Sequence, residues 1–146
     1  MADVRRWFAV PEESSAPRDI YIPEAKQPMF KELTENSDSP FFEENMTDLF
    51  VYAATYGHNR GLRTELEDSK HALFQRNSLS DSQVWILKSI AVKETEDPTI
   101  LKDEARIFEI AREFANGGID QLYTEYTGPN NMFSQHSKRV INMSDT

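Results

Sequence analysis

Residues 107–122 read IFEIAREFANGGIDQL. Ile107, Phe108, Ala111 and Phe114 recur at three- and four-residue spacing, which predicts an amphipathic helix. Asn116, Gly117 and Gly118 follow, and these residue types best tolerate the left-handed backbone that ends a helix. The pattern therefore predicts a stop at 116–118. Beyond it, Ile119, Leu122, Tyr123 and Tyr126 predict a further short helix before Gly128 and Pro129. Upstream, Asp97 before Pro98 is a helix-start signal, with Ile100, Leu101 and Ala105 continuing the spacing and a break near Lys102.

Working back along the chain, Ser80-Asp-Ser-Gln83 has capping-box spacing, and VWILKSIAV after it is apolar almost all round. That predicts a central, buried helix with Lys88 as its exception. Between Ser69 and Arg76 a short element anchored by Leu73 and Phe74 is either helix or strand. Asn45 is placed to cap a helix with Asp48 in its first turn, burying Met46, Leu49, Phe50, Ala53, Ala54 and Gly57. Ala53 and Ala54 permit a close helix approach, and Gly57 suits the terminal left-handed residue. Pro28 opens a short helix through Met29, Phe30 and Leu33 to about Asn36, and Ser37 to Pro40 form a linker. In residues 1–27, Pro11, Pro17 and Pro23 predict an extended arm. Its apolar points Trp7, Phe8, Val10, Ile20, Tyr21 and Ile22 suit short strands or docking. The expected architecture is mainly α: a compact bundle of about five helices over 28–127, with an extended N-terminal arm at 1–27, a tail at 128–146 and room for a short β-hairpin.

Composition narrows the function classes. A chain of 146 residues that is 38% hydrophobic suits one folded domain with one core. The absence of cysteine excludes disulfides, thiolate zinc sites, iron-sulfur ligation and a Cys nucleophile. No apolar run approaches the roughly 20 residues of a spanning helix, and the opening MADVRRWFAVPEESS lacks an export pattern, so no membrane association and a cytoplasmic location are expected. A net charge of -9 repels phosphate backbones, which leaves DNA contact local or indirect. The same balance fits a halophilic source or an ordinary one.

Motifs for chemistry are sparse. His58, His71 and His136 have neither zinc-protease nor zinc-finger spacing, and no serine elbow, P-loop or dinucleotide fingerprint occurs. We expect no catalytic residue, metal or cofactor. Glu43, Glu44 and Asp48 could gather with Asp103 and Glu104 as the paired acids of a carboxylate-metal nuclease, but among 25 acidic residues such groupings arise readily by chance and a solvated surface is the favoured reading. The best binding candidate is the basic loop of His58, Arg60 and Arg63, because a guanidinium grips phosphate or carboxylate. The same cations also suit the negative end of the preceding helix. Arg106 and Arg112, among Glu104, Glu109 and Glu113, predict local ion pairing on a solvent face.

Two segments, DLFVYAATYGHNRGLRTEL at 48–66 and IFEIAREFANGGIDQL at 107–122, together resemble the fourth family of Dnd-system-associated proteins, linked to DNA phosphorothioation. Phe50, Ala53, Ala54, Gly57 and Arg63 carry the first part of the resemblance; Phe114, Ala115, Asn116, Gly117 and Gly118 carry the second. The stretch IAVKETED also looks like the family's middle helix. Arg112 and Phe114 depart from the acidic and tyrosine residues of the family pattern. The resemblance implies an accessory role in a phosphorothioate-based restriction or antiviral defence system, exerted on a larger protein partner that supplies the chemistry. Direct DNA contact through residues 58–63, with Lys138 and Arg139 as further candidates, is the alternative, and a homo-oligomer is compatible with either.

Overall fold

The computed structural model describes residues 16–127. In chain order they form strand β1 (Asp19–Pro23), helix α1 (Gln27–Glu35), helix α2 (Met46–Arg60), strand β2 (Lys70–Gln75), helix α3 (Asp81–Thr95) and helix α4 (Glu104–Thr127). Single 3-10 turns cover Glu24–Lys26, Arg76–Ser78 and Pro98–Lys102. The expected roles of Trp7, Phe8, Val10, His136 and the tail from 128 onward lie outside the described residues.

The main correction concerns the glycine corner. Asn116, Gly117 and Gly118 do not stop a helix; they sit buried in the middle of α4, so four α-helices replace the expected five among the described residues. The glycines are there for space. A Cβ on Gly117 would lie 1.6 Å from the Leu62 carbonyl oxygen, and one on Gly118 would lie 2.0 Å from the Ala53 carbonyl oxygen. Gly57 obeys the same logic, since a Cβ there would come within 2.1 Å of the Phe114 carbonyl oxygen. It is therefore an interior residue of α2, and the left-handed cap is Gly61, at φ 68°. Helices α2 and α4 thus cross backbone against backbone, with Ala53 and Ala54 fully buried beside the glycines.

Several start signals behave as expected. The Asn45 side chain accepts from the Asp48 amide at 2.9 Å. Ser80 and Gln83 form a complete capping box, with Gln83 Oε1 accepting from the Ser80 amide at 2.9 Å and Ser80 Oγ from the Gln83 amide at 3.2 Å. Pro28 lies in the first turn of α1, which buries Phe30, Leu33 and Thr34. By contrast Asp97-Pro98 opens only the 3-10 turn; Asp97 caps Thr99, and α4 begins after Asp103, near the expected break.

The 69–76 element is a strand. β1 and β2 pair antiparallel, with Ile20 opposite Phe74 and Ile22 opposite His71, and the register shifts between Ile20 and Tyr21. They do not make a hairpin, because α1 and α2 lie between them in the chain. Ile20 and Ile22 are buried, each stabilising the fold by roughly 1.5–3 kcal/mol. Arg112 joins this sheet to α4 by donating from Nε to the Tyr21 carbonyl at 2.6 Å. This corrects the solvent-face expectation for Arg112: burial lowers its pKa, against the raising influence of Glu109 and Glu113. Arg106 does pair with Glu109 on the surface, as the spacing predicts.

Helix α3 also departs from expectation. It buries only Leu87, Ile90 and Ala91, while Trp85 and Ile86 are exposed. Its uniform apolar sequence conceals a surface helix with one core-facing stripe.

Candidate functional site

Of the predicted binding residues, His58 and Arg60 lie in the last turn of α2 and only Arg63 lies in the loop that follows, because the helix runs on to its cap at Gly61. Gly61 donates to the Gly57 and His58 carbonyls, turning the chain so that residues 62–65 run back along α4. Leu62 donates to the Gly57 carbonyl at 2.8 Å and Thr64 to the Glu113 carbonyl at 3.1 Å. Asn116 completes the seam: its Nδ2 donates to the Thr64 and Glu65 carbonyls at 3.4 and 3.2 Å. The motif Asn116-Gly117 is thus a docking device for this loop, the amide side chain holding it and the missing Cβ admitting it.

His58, Arg60 and Arg63 do not converge on one point. His58 sets its ring edge-on to Phe114, with centroids 5.1 Å apart. Arg63 donates from Nε and Nη2 to Glu113 at 3.1 and 2.8 Å, and from Nη1 to Glu94 at 3.2 Å. Burial alone would lower its pKa, but hydrogen bonds and charge from Glu113, then Glu94, outweigh that and the net shift is upward. This guanidinium clamps the loop to α3 and α4. Its positive charge is already matched by two carboxylates.

Arg60 has a different setting. Its guanidinium carbon lies 3.8 Å above the centre of the Tyr56 ring. Tyr56 stacks with Tyr52 at 6.3 Å and an interplanar angle of 22°, and Phe41 meets Tyr52 edge-on at 4.9 Å. Residues 52, 56 and 60 are four apart and therefore share one face of α2. Tyr52 is 46% exposed and Phe42, beside Phe41 in the chain, is 42% exposed. Tyr56 anchors the row by donating its hydroxyl to Glu125 at 2.8 Å. Burial, followed by the hydrogen bond and charge of Glu125, pushes the Tyr56 pKa up to about 12, with Arg60 opposing in part. The sequence signal for this row was Tyr-x-x-x-Tyr-x-x-x-Arg at 52–60, which reading the loop alone passes over.

The acidic residues have separate duties. Asp48 accepts from Gln83 Nε2 at 2.6 Å, Asp103 caps the Arg106 amide at 3.1 Å, and Glu104 pairs with Arg76 at 2.6 Å. Among the described residues no group of three or more His, Asp or Glu side chains comes together in a way that could hold a metal ion. No described helix is long and apolar enough to cross a membrane.

The model of one protein family, described as DNA sulphur modification system-associated protein 4, matches residues 19–145. The chain belongs to that family. The match takes in β1, all four helices and the loop from Gly61 to Glu65, so the α2–α4 crossing and the aromatic row both lie inside the family region. Comparison with curated proteins and with solved structures gives no match. The family description ties the chain to a DNA sulphur modification system.

Proposed function

We propose that this family member is an accessory, non-enzymatic subunit of a DNA phosphorothioation-linked restriction and defence system, acting in the cytoplasm by binding a larger protein. The observation that carries this reading is the aromatic row Phe41, Tyr52 and Tyr56, of which Tyr52 is exposed, ending on Arg60, which forms no ion pair among the described residues. Tyr and Arg are enriched at protein-binding hot spots, Tyr because it covers a large area at modest entropic cost and Arg because its planar fork donates several hydrogen bonds. Direct phosphate gripping by residues 58–63 is less well supported. Arg63 is held by two carboxylates, and a net charge of -9 opposes a DNA backbone.

The test is a pull-down from native extract with the full chain and with a Tyr52→Ala/Arg60→Glu double variant. Recovery of a component of the sulphur modification or restriction machinery by the first and not by the second supports the reading. Equal recovery by both moves the contact elsewhere. Salt-sensitive binding of the purified chain to a phosphorothioated duplex, lost with Arg60→Glu, would replace it with a DNA-contacting regulator.

A further inference from the structure

A second surface, separate from the aromatic row, lies between α3 and the 98–102 turn. A shallow groove of 260 Å³ is lined by Trp85, Lys88, Ser89, Val92, Lys93 and Leu101. Its apolar members are unusually open, with Trp85 58% and Leu101 39% exposed, and Ile86, 41% exposed, is one residue on from Trp85. The lining contains two ammonium groups and no carboxylate, and Lys102 adds an exposed third cation next to Leu101. Lys88 rests 4.6 Å over the Trp85 ring, which keeps its charge at the groove.

The neighbouring acids do not line the groove. Glu94 is turned to Arg63, Asp97 is bonded to Thr99, and Asp103 caps the start of α4. Asp81 and Glu96 stand at the two ends of α3. On a chain of net charge -9, the lining of the groove is itself cationic and apolar.

We propose that this groove docks an acidic amphipathic helix of another protein, with apolar side chains against Trp85, Val92 and Leu101 and carboxylates on Lys88, Lys93 and Lys102. The occupant follows from charge complementarity at contact range. The repulsion from the rest of the surface is screened beyond about 8 Å at physiological ionic strength, so the lysines decide which side chains are accepted. A helix supplies apolar residues at the three- and four-residue spacing that a short groove admits.

Trp7 and Trp85 are the only tryptophans, so the full chain carrying Trp7→Phe reports on the groove through Trp85 emission alone. Two probes are titrated: helical peptides of roughly 18 residues, about five turns, with leucines on one face and either glutamates or lysines elsewhere. The glutamate peptide is expected to shift Trp85 emission to the blue saturably, and Lys88→Glu/Lys93→Glu to weaken this by about tenfold or more. The lysine peptide should leave the emission unchanged. Equal shifts with both peptides, or none with either, overturn the proposal. So does a blue shift that tracks protein concentration with dimers in sedimentation, which assigns the groove to a second copy. Trp85 shielded from iodide in the unliganded monomer would assign it to the chain's own terminal residues.

Discussion

A methyl group on Gly118 would stand 2.0 Å from the Ala53 carbonyl oxygen, and one on Gly117 would stand 1.6 Å from that of Leu62. Two opposing effects meet here. Alanine is favoured over glycine in a helix interior by about 1 kcal/mol. The contacts, however, are with backbone, which cannot rotate away, and overpacking of this kind costs about 1–3 kcal/mol before the crossing itself opens. Gly118→Ala and Gly117→Ala should each therefore lose up to about 2 kcal/mol in urea unfolding, and a gain in stability at either site would refute the close crossing. Gly61→Ala provides the contrast: nothing lies within 4 Å of its Cβ, and the expected cost is the roughly 1 kcal/mol of a left-handed alanine. Tyr56 gives a pH prediction at the same scale. Its folded-state pKa of about 12 stands above the unfolded value of 10.0, so its stabilising contribution is complete below pH 10 and is lost as pH rises towards 12. Tyr56→Phe should flatten the loss of stability across that window, measured as urea midpoints against pH; parallel curves for the two proteins would show that burial and Glu125 together do not raise the phenol's pKa.

Elements were legible in the sequence where the signal was local. Asn45, Pro28 and the Ser80–Gln83 box act on backbone amides within one turn, so the starts of α2, α1 and α3 follow from residue type and spacing alone. Ser80→Ala should accordingly cost about 1 kcal/mol, with a lowered thermal midpoint; no change would mean that packing of Leu87 and Ile90 alone sets the helix start. The misread features depend on what lies across the fold. Glycine serves both a left-handed turn and a close approach, and Asn116-Gly117-Gly118 could be told from a helix stop only by knowing that Leu62 and Ala53 sit against them. The apolar run of α3 is a similar case, since a helix hydrophobic all round gives no clue to which stripe is covered. Strand β2 was ambiguous at six residues because its partner, β1, is remote in the chain. The candidate loop was found by its charge. The aromatic row beside it was not, because tyrosines at helical spacing usually serve a core, and here Tyr52 projects from it.

At the scale of the whole molecule, the two arginines of the 58–63 region have different settings, Arg63 on two carboxylates and Arg60 on the Tyr56 ring. Arg63 joins the loop, α3 and α4 through Glu113 and Glu94, with its side chain 30% exposed and that of Glu113 16% exposed. A partly screened pair of this kind contributes about 1–2 kcal/mol, since charged hydrogen bonds exceed surface ion pairs and water still reaches the site. Arg63→Ala should therefore lower the unfolding midpoint while leaving recovery of a protein partner unchanged below that midpoint. Arg60 covers one face of Tyr56 at the exposed end of α2 and holds no carboxylate among the described residues. Arg60→Ala should change the midpoint little and, if the proposed role of the aromatic row holds, reduce partner recovery. Thermal unfolding and pull-down on the same two variants separate these effects. If Arg63→Ala abolished binding at full stability, the loop itself would be the contact, and the guanidinium held by Glu94 and Glu113 would have to exchange those carboxylates for the partner's own.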